Sequence, residues 1–340
     1  MITAAIVVPC FNEESVLPVA AGRLLGLLAE LHEQGVLSCE SQVYFVDDGS
    51  TDQTWRLIET LAQDDRRVCG IRLSRNHGHQ RALLAGLLSV NADVVISIDA
   101  DLQDDIGVIV KMLAAYQSGH DVVYGVRTDR SSDSFFKRAT ARLFYRTLDI
   151  MGVEVISDHA DFRLLSRRAL DALREYSEVN LFLRGVIPTI GFPSTTIEYA
   201  RSARESGESK YPLRRMLSLA IDGITSFSVV PLRIIAVTGV GISLVTVFLS
   251  LWVVWTKLTN ETAVPGWASS VLPVYLLGGI QLLGIGIVGE YIGKIYMETK
   301  RRPRFIIQAV IGERMTFLER RSRQATDADQ AKEPQVTHRS

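Results

Sequence analysis

Short β-branched runs alternate with amphipathic helical stretches from Ala4 to about Asp129, and this alternation restricts the possible folds more than any other feature of the chain. It is typical of a parallel sheet with helices on both faces, because parallel strands are buried on both sides and are usually joined by helices. The sequence therefore predicts an α/β domain. Its predicted strands are residues 5–8, 43–46, 68–73, 94–98 and 122–125.

Polar clusters follow the carboxyl ends of most of these predicted strands. The clusters are Pro9-Cys-Phe-Asn-Glu13, Asp47-Asp48-Gly49-Ser50, Asp99-Ala-Asp101 and Arg127. In open α/β sheets, ligands bind just beyond the carboxyl ends of the strands. We therefore expect these side chains to meet at one edge of the sheet and to form a binding site there.

The Asp99-Ala-Asp101 cluster places two carboxylates directly after a buried apolar strand. A cation or a hydrogen-bond network must offset the loss of water around them. Mg²⁺ or Mn²⁺ suits such a site, because these ions accept one or two carboxylates and take further ligands from substrate phosphates. The alternative is a pair of helix-capping aspartates, but the preceding strand and the neighbouring clusters favour metal binding.

The Asp47-Asp48-Gly49-Ser50 cluster has the composition of a strand-to-helix turn, with Ser50 or Thr51 as the cap of the following helix. A carboxylate at such a turn can also accept hydrogen bonds from a nucleobase or from ribose hydroxyls. The two roles are compatible, so this cluster is a candidate nucleotide-binding site.

Two histidines, His77 and His79, follow the third predicted strand. Histidine titrates near neutral pH, so either side chain has the chemistry of a general base. No neighbouring residues mark a catalytic triad. Loop structure or a contact with phosphate is therefore the favoured interpretation.

The chain changes character after the α/β pattern. Residues 131–173 are predicted to be mainly helical, with a polar break at residues 157–163. Residues 201–211 form a basic loop. Residues 212–230 carry arginines and apolar side chains at helical spacing, which is typical of a helix lying in the membrane interface.

Two predominantly apolar stretches, residues 232–256 and 271–292, each hold one charged residue near an end and are each long enough to cross a bilayer, which takes roughly 20 residues of helix. Basic residues precede the first stretch and follow the second, whereas the connection at residues 257–270 carries little charge. The positive-inside rule then predicts a multi-pass protein of the plasma membrane, with the catalytic domain and both termini in the cytoplasm. The charged tail after about Glu319 is predicted to be disordered.

Charge and cysteine content exclude some classes of function. The chain has 37 Lys and Arg against 38 Asp and Glu, so it lacks the broad basic face of a nucleic-acid-binding protein. Its three cysteines form no C-x-x-C pair, which fits a reducing compartment and argues against a structural zinc site.

The second apolar stretch contains Gly284-Ile-Gly286-Ile-Val-Gly289, which matches the dinucleotide-binding fingerprint literally. No strand precedes it and no acidic ribose partner follows it, so we reject that interpretation. Glycines on one helix face allow close helix packing. We therefore predict a homo-oligomer, such as a tetramer, with Gly286 in the contact.

Taken together, the motifs resemble glycosyltransferase family 2, in particular its polyprenyl-phosphate branch, which includes bactoprenol glucosyltransferases and dolichol-phosphate mannose synthases. The motifs occur in the expected order over residues 4–211. They are Pro9-Cys-Phe-Asn-Glu13, Asp47-Asp48-Gly49-Ser50, Asn76-x-Gly78 with Ala82, Asp99-Ala-Asp101-Leu-Gln103, Gly125-Val-Arg127, Asp161-Phe-Arg163-Leu and Gly207-Glu-Ser-Lys210-Tyr211.

The resemblance implies a GT-A-type, Rossmann-like catalytic domain that binds a nucleotide sugar. The residues implied or predicted to contact the nucleotide are Pro9, Asn12, Glu13, Asp47 and Asp48. Those implied to hold Mg²⁺ or Mn²⁺ on the diphosphate are Asp99, Asp101 and Gln103. Family 2 chemistry also implies inversion at the anomeric carbon, and the missing Gln-x-x-Arg-Trp motif favours transfer of a single sugar.

The acceptor side has more open alternatives. Asp158 or Asp161 could orient the acceptor or act as a base, with Arg163 beside them. Guanidinium and ammonium groups bind phosphate oxygens. On that basis the candidates for the acceptor phosphate are Arg127, Arg138, Arg163, Arg201 and Lys210. Ala160 stands where many relatives are expected to have glycine, so the assignment of this segment stays open.

These predictions divide the chain into four parts. They are a catalytic domain (residues 1–211), an interfacial helix (212–231), a two-helix transmembrane region (232–296) and a basic juxtamembrane segment with a tail (297–340). The predicted function is transfer of one sugar, with UDP-glucose as the favoured donor, onto undecaprenyl phosphate at the cytoplasmic membrane face. The alternatives are a transferase with a hydroxyl acceptor and a catalytically inactive scaffold or lipid-flipping partner.

Overall fold

A computed structural model of the 340-residue chain describes residues 1–101, 103–127, 159–178, 183–199, 230–259 and 267–312. Its centre is one eight-stranded sheet. The strands are β1 (Ala4–Cys10), β2 (Gln42–Asp47), β3 (Val68–Leu73), β4 (Val94–Ser97), β5 (Val122–Arg127), β6 (His159–Ser166), β7 (Ser194–Tyr199) and β8 (Ile307–Ile311). Their order in the sheet is β7-β5-β6-β4-β1-β2-β3-β8.

The described residues form eight helices, several of which pack against the sheet. They are α1 (Leu17–Glu33), α2 (Thr54–Asp64), α3 (His79–Ser89), α4 (Val108–Gln117), α5 (Arg167–Glu175), α6 (Leu183–Thr189), α7 (Val230–Thr259) and α8 (Trp267–Thr299). Helices α1 and α4 pack on one face of the sheet, and α3 packs on the other.

The predicted α/β class is confirmed, and the five predicted strands correspond to β1 to β5. Strand β1 lies between β2 and β4 and is parallel to both. Alternate residues of β1 enter the two apolar cores, with Ile6 in one and Val7 in the other. The carboxyl ends of β1, β2 and β4 therefore lie together at one edge of the sheet. The strand order reverses its direction at this point.

The five predicted strands all run in the same direction, as predicted, but the whole sheet is mixed. Strand β6 is antiparallel to both β4 and β5, and β8 is antiparallel to β3. The prediction of a mainly helical segment at residues 131–173 was wrong for β6. Phe162 and Leu164 enter one core while Leu165 enters the other, and this period of two is that of a strand buried on both faces.

Strand β8 extends the sheet with residues from beyond α8, in the part of the chain that the sequence assigned to a juxtamembrane segment. It pairs along β3, and the N–H of Ser74 donates to the carbonyl of Ile306 at 2.9 Å. Phe305 and Ile307 pack against the core beneath it. Residues on both sides of α7 and α8 therefore belong to the same sheet.

Among the residues that the structure describes, no helix is both long and apolar enough to cross a membrane. The two predicted spans stay a prediction. The predicted interfacial helix, the basic loop at residues 201–211 and the tail lie outside the described residues, apart from the end of the interfacial helix at residues 230–231.

Gly49, in the turn after β2, has a conformation and surroundings that only glycine satisfies. Its φ is +70°, and a Cβ there would lie 2.5 Å from the carbonyl carbon of Arg75. We expect Gly49→Ala to lower the free energy of unfolding by about 1–3 kcal/mol, because backbone strain of this kind adds to a clash that no side chain can relieve. Thermal or denaturant unfolding measures the change.

The matched control is Gly22→Ala on α1, where a Cβ meets no atom within 4 Å and the residue is exposed. This change should be neutral or stabilise by roughly 0.5–1 kcal/mol, since alanine has the lower entropy cost in a helix. Equal stability of the two variants would contradict a requirement for glycine at position 49.

Candidate active site

The loops after β1 and β2 are tied together by hydrogen bonds between side chains and backbone. Asn12, at φ +56°, donates its N–H to Ser50 Oγ at 2.9 Å and accepts from the N–H of Thr51 at 2.9 Å. The N–H of Glu13 donates to Thr54 Oγ1 at 2.9 Å. Asn12 therefore fixes the shape of the predicted nucleotide site, beside Pro9, which is buried within β1.

The two adjacent carboxylates Asp47 and Asp48 have different surroundings. Asp47 is fully buried, accepts from the N–H of Ser50 at 3.0 Å and forms an ion pair with Arg72 at 3.4 Å. Asp48 accepts from the backbone N–H groups of His77 and Gly78 at 2.7 and 2.8 Å. Burial raises the pKa of Asp48, although these two hydrogen bonds oppose the shift.

His79, the first residue of α3, lies between two carboxylates. Its Nε2 is 3.5 Å from Asp99 Oδ1 and 3.3 Å from Asp161 Oδ2. The structure thus brings the predicted metal-binding Asp99 and the predicted acceptor-side Asp161 into one cluster.

Asp161 also binds two arginines. Arg184 on α6 donates to both carboxylate oxygens at 3.3 and 3.2 Å, and Arg163 donates to Oδ1. Arg163 is fully buried, and its Nε and Nη1 have no hydrogen-bond partner. Because it has no exposed surface, Arg163 contacts Asp161 from the interior of the protein.

The surroundings of Asp161 and Asp99 shift the pKa values of the two carboxyl groups in opposite directions. Burial disfavours ionised Asp161, but the hydrogen bond from His79 and the charges of Arg163 and Arg184 outweigh it and hold the pKa of Asp161 well below its usual range. Partial burial, together with neighbouring carboxylates, raises the pKa of Asp99. Asp161 is therefore a weak base at neutral pH, which favours the orienting role over proton removal.

The predicted metal ligands fit a hard divalent ion. Asp99 Oδ1 is buried and has no hydrogen-bond partner, so a cation would replace the water that it has lost. Asp101 is half-buried and accepts from the N–H of Gln103 at 3.2 Å, which fixes the loop. Within the described residues no three His, Cys, Asp or Glu side chains form a metal cluster, so phosphate oxygens would have to supply the remaining ligands.

Arg127, predicted to contact the acceptor phosphate, forms an ion pair with the buried carboxylate of Asp104. Its Nε and Nη2 donate to Asp104 at 3.0 and 3.2 Å, and the hydroxyl of Tyr199 donates to the same carboxylate at 2.6 Å. Asp104 directly follows Gln103, so this cluster anchors the Asp101–Gln103 loop to β5 and β7.

The sequence analysis identified most of the carboxylates but missed several of their partners. Four predicted site residues lie outside the described residues; they are Arg138, Asp158, Arg201 and Lys210. The partners not identified are Asp104, Arg184 and Tyr199, while His79 was assigned to loop structure or phosphate. Only His79 and Asp104 carried a sequence signal, because they directly adjoin recognised motifs.

Comparison with known proteins decides the family. Residues 5–174 match the family model described as Glycosyl transferase family 2. The chain belongs to glycosyltransferase family 2. The predicted resemblance and the enzyme class are thereby confirmed, and the GT-A-like mixed sheet agrees with membership of family 2.

Curated relatives in family 2 match along almost the whole chain. The glycosyltransferase YkoT of Bacillus subtilis is 46% identical over 94% of this chain and 95% of its own. The bactoprenol glucosyl transferase of Shigella phage SfX is 38% identical over 90% of this chain and 98% of its own. Mannosyl-3-phosphoglycerate synthase from Rubrobacter xylanophilus has a similar solved structure, with a TM-score of 0.45 and 16% identity over 66% of this chain and 73% of that one.

The ionised carboxylate of Asp99 should lower the stability of the folded protein while it supports sugar transfer. Its raised pKa means that the ionised carboxylate destabilises the folded protein at neutral pH. We expect Asp99→Asn to leave the thermal unfolding midpoint unchanged or higher in the absence of metal, and to lower sugar transfer by roughly 100-fold, the scale seen when one electrostatic stabiliser is lost.

Asp64→Asn is the matched control, because Asp64 is exposed on α2 and remote from the cluster. It should alter neither quantity. A large drop in the unfolding midpoint of Asp99→Asn would show that Asp99 is a structural residue.

Proposed function

We propose that this enzyme transfers one glucose, with inversion, from UDP-glucose to a polyprenyl phosphate at the cytoplasmic face of the membrane. The observation that carries the proposal is the 38% identity, over 90% of this chain, with proteins named bactoprenol glucosyl transferase. That name supports both the sugar and the lipid class. The clustered carboxylates at the sheet edge support the reaction type.

The donor is proposed to lie across the ends of β1, β2 and β4. Asp48 and the Asn12 loop would contact the nucleoside, and Asp99 and Asp101, with Gln103 beside them, would hold Mg²⁺ or Mn²⁺ on the diphosphate. The ion, when bound, supplies positive charge to the departing diphosphate. The unpartnered Asp99 Oδ1 supports this assignment.

In the proposed reaction, a phosphate oxygen of the lipid attacks the anomeric carbon, the bond from that carbon to the diphosphate breaks, and nucleoside diphosphate leaves. A phosphate monoester is already largely ionised at neutral pH, so no strong base is needed. The low pKa of Asp161 agrees with this, because a carboxylate that binds protons poorly can still orient its neighbours. Alignment and charge stabilisation then carry the catalysis.

On the acceptor side, Arg184 adds a cation that the sequence analysis did not identify. Its side chain is 37% exposed and pairs with Asp161 at 3.2 Å. Arginine binds phosphate oxygens through several N–H groups at once. We include Arg184 among the acceptor-phosphate residues, with Arg138, Arg201 and Lys210.

The proposed membrane position rests on the sequence. The apolar stretches at residues 232–256 and 271–292, with basic residues on their outer sides, favour two spans and cytoplasmic termini. The three cysteines are free thiols, which agrees with a reducing compartment.

Purified full-length protein in neutral detergent tests the reaction directly. With undecaprenyl phosphate, Mn²⁺ and a panel of nucleotide sugars, we expect release of UDP from UDP-glucose together with a glucosylated lipid, both abolished by chelation of the metal. UDP release without lipid product would mean another acceptor. Turnover only with a different nucleotide sugar would replace glucose, and no turnover with any donor would favour the inactive scaffold.

Cysteine labelling in intact cells tests the membrane position. Asn260→Cys should react with an impermeant maleimide in intact cells, because residue 260 lies in the connection between the proposed spans. The exposed native Cys39 is the internal control and should react only after permeabilisation. Labelling of both positions only after permeabilisation would contradict the two-span topology.

A further inference from the structure

The segment from Asn76 to His79 contacts carboxylates on both sides of the site. The N–H groups of His77 and Gly78 donate to Asp48, and the side chain of the next residue, His79, reaches Asp99 and Asp161. Asp48 lies in the proposed nucleoside site, Asp99 in the proposed diphosphate site, and Asp161 on the acceptor side. One short segment therefore touches all three.

Gly78 makes this double contact possible. Its φ of +93° turns the chain between the two N–H groups that bind Asp48 and the first turn of α3. Non-glycine residues rarely adopt such an angle. The turn places His79 at the start of α3, on the side of the sheet edge where Asp99 and Asp161 project.

We propose that His79 is a positioning residue that fixes Asp161 relative to Asp99 and, through Gly78, relative to Asp48. The inference rests on the proposed function. Two carboxylates this close repel each other, and Nε2 lies within 3.5 Å of an oxygen of each. A proton on Nε2, present in one neutral tautomer and in the imidazolium, can be donated to Asp161, while Nε2 faces Asp99 Oδ1 at 3.5 Å without a hydrogen bond to it.

The exposure of His79 distinguishes this role from simple core packing. Its side chain is 45% exposed, so its replacement removes little buried apolar surface. Asp161 keeps two arginines in its absence, so the carboxylate stays neutralised. Among the described residues, His79 is the side chain that links Asp161 to Asp99 and to the segment that binds Asp48.

The test compares His79→Gln with His79→Asn in full-length protein. The Gln amide nitrogen reaches about as far as Nε2 and can donate to the carboxylates, whereas the Asn amide reaches only about as far as Nδ1. We expect His79→Gln to keep kcat within about 3-fold of wild type. His79→Asn should lower kcat by about 10–100-fold, the range typical of residues that orient metal ligands.

A second measurement does not depend on turnover. Calorimetric titration of UDP with Mn²⁺ should show affinity weakened by about 10–100-fold in His79→Asn and nearly retained in His79→Gln. The thermal unfolding midpoints of the two variants should agree. Equal kinetics and equal UDP affinity in the two variants, or losses that follow their unfolding midpoints, would overturn the positioning role.

The same experiments separate this inference from the proposed function. If the wild-type protein glucosylates no lipid phosphate, the proposed function fails, while the UDP and Mn²⁺ titrations of the two variants still decide the role of His79. If the wild type is active and the variants do not differ, only the positioning role fails.

Discussion

Carboxylates crowd one edge of the sheet, and the need to compensate their charge organises the structure around them. Among the described residues they include Asp47, Asp48, Asp99, Asp104 and Asp161. Burial of like charges is expensive unless each one is paired or hydrogen-bonded. Partners from distant parts of the chain let three of these carboxylates each fasten a different element to the edge. Asp48 fastens the start of α3, Asp104 fastens β5 and β7, and Asp161 fastens α6.

Sequence patterns predicted what depends on local chemistry. The β-branched runs marked β1 to β5, and the polar clusters at their ends marked Asp48, Asp99 and Asp101 as site residues. Prediction failed where a partner lies far away along the chain. Tyr199 meets Asp104 across 95 residues and Arg184 meets Asp161 across 23, and nothing local to either residue marks the contact. Strand β6 was missed because a central antiparallel strand carries charged residues, Asp161 and Arg163, that suggested a polar break.

The arrangement of charges also explains how neighbouring carboxylates can have separate tasks. Asp161 is surrounded by positive groups and stays ionised, so it can hold the guanidinium of Arg184 in place without competing for protons. The ionised form of Asp99 is disfavoured, and its Oδ1 has no hydrogen-bond partner. A divalent ion bound there would stabilise the charged carboxylate. The difference arises from the surroundings alone, since the side chains are chemically identical.

Strand β8 carries a consequence for biosynthesis. Domains usually fold as their residues leave the ribosome, starting from the amino terminus. Strand β3 is complete early in synthesis, but its neighbour β8 ends at Ile311, after both long helices. The outer hydrogen-bonding groups of β3 therefore stay uncovered until most of the chain has been made, and an uncovered strand edge invites pairing with other chains. A nascent chain stalled or truncated before residue 307 would carry an open sheet edge, and quality-control proteases and chaperones would meet it there.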